Sequence, residues 1–128
     1  MEKFVVMLVV TILLGGCGGV TEDGGQITPQ DAKARLDADE EIILLDVRTQ
    51  EEFEAERIDG AVLLPVDEIR EQAETVLPDK NATYYIYCRS GRRSATARQI
   101  MEDMGYARVY DLGGIIDWPY GTVREGDG

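Results

Sequence analysis

One stretch of this chain has residue types and spacing that could do chemistry: Cys88-Arg89-Ser90-Gly91-Arg92-Arg93-Ser94. It follows the apolar run Thr83-Tyr84-Tyr85-Ile86-Tyr87 and precedes Ala95-Thr96-Ala97-Arg98-Gln99-Ile100-Met101, which reads as a helix. A cysteine therefore stands where a buried strand stops and a helix begins, in a tight loop crowded with arginine. Successive backbone N–H groups in such a loop can point at one anion, and the helix N-terminus adds partial positive charge. The same field favours the thiolate, which is the nucleophilic form. A cysteine that merely filled core space would gain nothing from Arg89, Arg92 and Arg93, and burying those cations would be costly. The expectation is a reactive cysteine, Cys88, in an anion cradle formed by Arg89 to Ser94.

The elements around the loop must place it. Thr28-Pro29 is a helix start, an N-cap hydroxyl followed by proline at the first helical position, and the helix runs to about Asp37. Ile42-Ile43-Leu44-Leu45 is a short continuous apolar run, the pattern of a strand buried on both faces, and it ends in Asp46-Val47-Arg48. A polar helical turn over Thr49–Glu56 follows, with Phe53 as its apolar anchor. Ile58 to Pro65 reads as a second strand, Val66 to Val76 as a helix, and Tyr84 to Tyr87 as the central strand. Ser94 to Met104 is the next helix and Arg108-Val109-Tyr110 the last strand, with Gly113-Gly114 opening a segment that ends at Trp118. Strands alternating with helices predict an α/β fold, a small parallel sheet flanked by helices on both faces. Ligands of such sheets bind beyond the carboxyl ends of the strands, so Asp46, Cys88 and Asp111 are expected at one rim.

The chain has 128 residues, room for one domain with a modest core. Its formal net charge of −12 argues against nucleic acid, which needs a basic face. On that background the arginine loop is a local positive site able to hold a small anion.

Residues 1–16 read as a signal peptide. Phe4 to Leu14 is an apolar run too short to span a bilayer comfortably, and it leads into Leu14-Gly15-Gly16-Cys17. That tetrapeptide resembles a bacterial lipobox, which implies lipidation of Cys17; a plain secretory signal cleaved nearby is the alternative. Residues 17–26, rich in glycine, form a flexible tether, and the domain occupies residues 27–128. The chain would then be exported to the cell envelope or periplasm and held at a membrane by its lipid. With Cys17 lipidated, Cys88 is the one thiol left in the domain, so no structural disulfide is expected.

Four features in order resemble a rhodanese-like domain. They are Leu45-Asp46-Val47-Arg48 with Glu51-Glu52-Phe53; Ile58-Asp59-Gly60-Ala61 closing at Pro65; the Cys88–Ser94 loop; and Gly113-Gly114 with Trp118. The resemblance covers about Ile27 to Trp118. It implies a sulfurtransferase in which Cys88 takes a sulfane sulfur from a thiosulfate-like donor as a persulfide and passes it to a thiophilic acceptor, without metal or cofactor. Arg89, Ser90, Gly91, Arg92, Arg93 and Ser94 would bind the anionic donor, with Arg93 either binding it or bracing the loop. Asp46 and Arg48 take the part of an internal brace. A protein acceptor of sulfur is compatible with the acidic surface.

The chain departs from the family pattern in having Arg57 where a histidine often precedes the Ile-x-Gly-Ala segment, and it has no histidine anywhere. Thiolate activation must then rest on loop amides and arginines. Residues after Trp118 match the usual ending only loosely. Two other functions compete: a non-catalytic sulfur-carrier or binding module on the same fold, and a cysteine-dependent phosphatase or arsenate reductase. The latter usually has arginine six positions after its cysteine, and that position here is Ser94. A thiol–disulfide oxidoreductase is disfavoured because the chain has no Cys-x-x-Cys pair.

Overall fold

The computed structural model describes residues 25–38 and 41–126. The signal peptide, Cys17 and most of the tether lie outside the described residues. Four parallel strands form one sheet in the order β2-β1-β3-β4, with β1 at Ile42–Asp46, β2 at Val62–Leu63, β3 at Thr83–Cys88 and β4 at Arg108–Gly114. The helices are α1 (Pro29–Asp37), α2 (Gln50–Ala55), α3 (Ile69–Val76) and α4 (Arg92–Asp103).

Side chains of β3 alternate between two cores, as the period of a strand requires. Tyr84, Ile86 and Cys88 join a cluster with Ile69 and Ala73 of α3 and Ala97 and Met101 of α4. Tyr85 and Tyr87 face the other way, into a cluster with Ala32 next to Leu36 of α1, Ile58, Leu112 and Ile115. Because both faces are covered, β1 and β3 read as unbroken apolar runs rather than alternating ones.

Several boundaries differ from the sequence expectation. Only Val62 and Leu63 of the stretch Ile58 to Pro65 pair as a strand, since Asp59-Gly60 forms a turn with Gly60 at φ 88°. The segment from Val66 begins as a 3-10 turn and becomes α-helical at Ile69. Helix α2 buries none of its residues, and Phe53 lies half-buried beneath the Arg57 guanidinium, 4.6 Å from its ring centroid. It is held by polar contacts instead: Thr49 and Glu52 form a capping box at its start.

Strand β4 runs on to Gly114, which moves Asp111 away from the rim. Asp111 pairs level with Ile86, two residues short of Cys88, and Leu112 is bulged out between Asp111 and Gly113. The Asp111 carboxylate accepts the Gly113 N–H at 2.9 Å and so holds the bulge.

Asp46, at the end of β1, is fully buried and is met by the nearly buried Arg48. Arg48 donates from Nη2 to Oδ2 at 2.7 Å and from Nε to Oδ1 at 3.0 Å, and its backbone N–H reaches Oδ1 at 2.9 Å. Nη2 also donates to the Glu56 carbonyl at the end of α2. This pair ties the β1 terminus to α2 beside the face of Tyr87, whose hydroxyl accepts the Ile58 N–H at 3.1 Å. Burial, reinforced by the Asp46 carboxylate, pushes the Tyr87 phenol far above its ordinary range, so it stays neutral. Removing one member of such a buried pair leaves an uncompensated charge, which typically costs about 3–5 kcal/mol.

Candidate active site

Cys88 is the last residue of β3, and its backbone pairs with Gly114. The chain passes Arg89 and Ser90 and reverses at Gly91, whose φ of 105° lies in the left-handed region that favours glycine. The reversal brings two backbone donors onto the sulfur: Gly91 N–H donates to Cys88 Sγ at 3.0 Å and Ser94 N–H at 3.3 Å. The Cys88 thiol lies 3.5 Å from the Ser94 hydroxyl oxygen, to which it donates, and that hydroxyl donates to the Gly91 carbonyl at 3.1 Å.

Helix α4 starts at Arg92, so Arg92, Arg93 and Ser94 form its first turn, earlier than the sequence expectation of Ser94. The N–H groups of a first turn have no acceptor within their own helix. Here one of them serves the sulfur, and the positive end of α4 faces it. Such a field stabilises a thiolate, or an anion built upon the thiolate.

The residue Cys88 is only 1% exposed and Ser94 is buried, whereas Arg89, Ser90 and Arg92 are exposed. The sulfur lies buried within the turn, two of whose arginines are exposed to solvent. Among the described residues neither Arg89 nor Arg92 has a side-chain partner. Arg93 differs: it donates from Nη1 to Glu52 Oε1 at 2.8 Å and from Nη2 to Oε2 at 3.0 Å. That bidentate pair joins the first turn of α4 to the capping box of α2, which makes Arg93 a brace. From its place in the sequence alone Glu52 has no role of its own. The Thr49-x-x-Glu52 spacing marks a capping box, and only the fold places Arg93 against it.

Gly114 matters for the space it leaves empty. A Cβ on it would lie 2.7 Å from Ser90 Cα and would strike the Arg89 carbonyl oxygen. The turn can pack on β4 only because this position has no side chain, and the Ile116 N–H then donates to the Arg89 carbonyl at 3.3 Å. Trp118 is half-buried against the second core, in edge contact with Tyr120. The described residues hold no group of three His, Cys, Asp or Glu side chains suited to a metal ion. A cavity of about 370 Å³ between Lys33, Ile58 and Tyr120 is lined by none of the turn's residues.

Two outcomes follow from this geometry. Gly114→Ala is expected to lower stability by about 1–3 kcal/mol through overpacking. It should also shift the amide resonances of Gly91 and Ser94, and unchanged resonances would show that the turn does not depend on this contact. The second concerns Glu52, which the Arg93 guanidinium, aided by Thr49, holds down at about 2 from its ordinary 4.5. A carboxylate depressed in the folded state adds stability that is complete above about 4.5 and lost as pH falls toward 2. Glu52→Gln keeps a capping side chain and removes the charge. The stability gap between wild type and this variant should therefore be widest near neutral pH and close across that acid window, as followed by urea unfolding.

The comparisons with known proteins agree with the geometry. A family model described as a rhodanese-like domain matches residues 28–119. Thiosulfate sulfurtransferase PspE of Escherichia coli (strain K12) is 41% identical over 73 residues, covering 57% of this chain and 70% of that protein. Putative sulfurtransferase YtwF of Bacillus subtilis (strain 168) is 36% identical over 93 residues, covering 73% of this chain and 88% of that one. The solved structure of a rhodanese with anions from E. coli aligns with a TM-score of 0.61 at 37% identity, over 65% of this chain and 98% of its own. With the family match running from the N-cap of α1 to the residue after Trp118, the chain belongs to the rhodanese-like domain family.

Proposed function

We propose that this domain is a sulfurtransferase that moves a sulfane sulfur from a thiosulfate-type donor to a thiophilic acceptor through a persulfide on Cys88. The observation that carries this reading is the pair of backbone N–H donors, Gly91 and Ser94, aimed at Cys88 Sγ. In the first step the Cys88 thiolate attacks the outer sulfur of thiosulfate; an S–S bond forms and sulfite departs with the electron pair of the broken one. In the second step cyanide or another thiophile attacks the outer persulfide sulfur, and the electron pair returns to Cys88 as thiolate. Both steps keep negative charge beside the α4 N-terminus, where amide donors stabilise it. Arg89 and Arg92, exposed at the rim, are placed to attract the dianionic donor.

The phosphatase alternative fits less well. Six positions after the cysteine stands Ser94, and the nearest arginine, Arg93, has both terminal nitrogens on Glu52. Neither residue offers the free guanidinium that a tetrahedral oxyanion would need.

The domain from Gly18 onward, assayed with thiosulfate and cyanide, should produce thiocyanate, and Cys88→Ser should not. Intact mass after thiosulfate alone should rise by one sulfur atom on wild type only. Absence of both turnover and added sulfur would remove the reading.

Export and lipid attachment at Cys17 are part of the same proposal, supported by the apolar run Phe4 to Leu14 and the Leu14-Gly15-Gly16-Cys17 motif. In a bacterial host, globomycin should cause the precursor to accumulate; a mature, unlipidated product insensitive to it would sink the anchor.

A further inference from the structure

The family match ends at residue 119, and the chain beyond it runs along the end of α2. Arg57 and Val123 form an antiparallel bridge, each N–H donating to the other's carbonyl at 2.8 Å. Two residues on, the Glu125 N–H donates to the Glu54 carbonyl at 2.9 Å. The Thr122 hydroxyl donates to the Glu56 carboxylate at 3.0 Å. Arg57 is the centre of this junction. Its Nη1 donates to the Phe53 carbonyl at 3.1 Å and meets Glu125 Oε1 at 3.4 Å, while its guanidinium covers the Phe53 ring.

Helix α2 needs such fastening, because it has six residues and buries none of them. A helix that short does not persist in water on its own backbone hydrogen bonds. Its position matters for the site. Glu52, in the middle of α2, holds Arg93 in the first turn of α4. The next residue is Ser94, whose N–H reaches Cys88 Sγ at 3.3 Å. Hydrogen bonds and one ion pair therefore lead from residues 122–125 through α2 to an amide that donates to the sulfur.

We propose that residues 122–125 are a strap that positions the cysteine turn. Through its backbone pair with Arg57, Val123 holds α2 so that Glu52 keeps Arg93, and with it the Ser94 amide, in place. Val123 and Arg57 are positioning residues, acting through Glu52 and Arg93. As a statement about geometry the strap stands by itself; its effect on sulfur transfer rests on the persulfide reading above. A loosened strap lets the Ser94 donor stray from the sulfur while Arg89 and Arg92 stay exposed to the donor anion. The maximal rate of sulfur loading falls, and the half-saturating thiosulfate concentration does not.

The test follows sulfur loading on Cys88 by intact mass over a range of thiosulfate concentrations, beside the amide resonances of Gly91 and Ser94. Val123→Pro removes the N–H that bonds the Arg57 carbonyl. It should shift the Ser94 resonance and lower the maximal loading rate about tenfold, with half-saturation held within about twofold, as a small displacement of a charge-stabilising donor does. Lys80→Ala frees the opposite end of α4 from Glu74 and the Met104 carbonyl, and should leave the rate within about twofold. Glu52→Gln should itself slow loading about tenfold, and adding Val123→Pro to it should cost no more than about twofold further, because both changes break one path. A folded Val123→Pro that loads at the wild-type rate, or a double variant slowed about a hundredfold as independent effects multiply, would overturn the strap. If Val123→Pro does not fold, Glu125→Pro takes its place; it removes the amide bonded to Glu54 and the carboxylate beside Arg57 but leaves the Val123 pair. Loading about threefold slower is then expected, and wild-type loading would overturn the strap. If the wild type itself takes up no sulfur, the persulfide reading has failed, and the Ser94 resonance in the strap variants still decides the geometry.

Discussion

Cys88 Sγ accepts hydrogen bonds from two backbone N–H groups, those of Gly91 and Ser94, and the rest of the site is arranged so that those two amides stay where they are. A sulfur held by backbone donors is insensitive to the identity of most nearby side chains but strict about chain path. Three constraints set that path. Gly91 supplies the positive φ, Gly114 leaves room for the Arg89 carbonyl, and the Glu52–Arg93 pair ties the first turn of α4 to α2. A chain with no histidine has no imidazole to act as general base, and donors of this kind are how it can stabilise negative charge on sulfur.

Pairing of charges divides the arginines into two sets. Arg48 and Arg93 are engaged by Asp46 and Glu52: the first pair holds the end of β1, with Arg48 also reaching the Glu56 carbonyl after α2, and the second joins α2 to the first turn of α4. Helix α2 buries no side chain of its own, so these pairs and its capping box supply what a hydrophobic face would otherwise give. Arg89 and Arg92 stay exposed at the rim of the turn. In a chain with a net charge of −12, these two exposed cations in and next to the cysteine turn are a local exception to the negative surface.

Much of the fold was legible because the two periodicities are clean. The apolar runs Ile42–Leu45 and Tyr84–Tyr87 are central strands, and Thr28-Pro29 starts a helix, each for a local reason. The misreadings share one cause, which is contact between distant segments. Asp111 looks like a residue just past a strand, yet pairing with β3 carries β4 three residues further and absorbs Leu112 as a bulge. Ile58 looks like a strand residue, yet its N–H is taken by the Tyr87 hydroxyl and the next residues turn. Phe53 looks like a core anchor, yet it packs under Arg57 at the surface.

The residue types of the Cys88–Ser94 stretch, between an apolar run and a helical one, determined by themselves that a cysteine would stand in a tight turn between a strand end and a helix start, because strand end, glycine and helix start are local properties of the chain. The tertiary structure decided which arginine does which task. Arg89, Arg92 and Arg93 are equivalent in sequence terms. Glu52 lies 41 residues before Arg93 and reaches it only because the sheet sets α2 beside α4, so that guanidinium becomes a brace while its neighbours stay free. The same holds for Gly114: the space a glycine must leave exists only once separate segments are packed together.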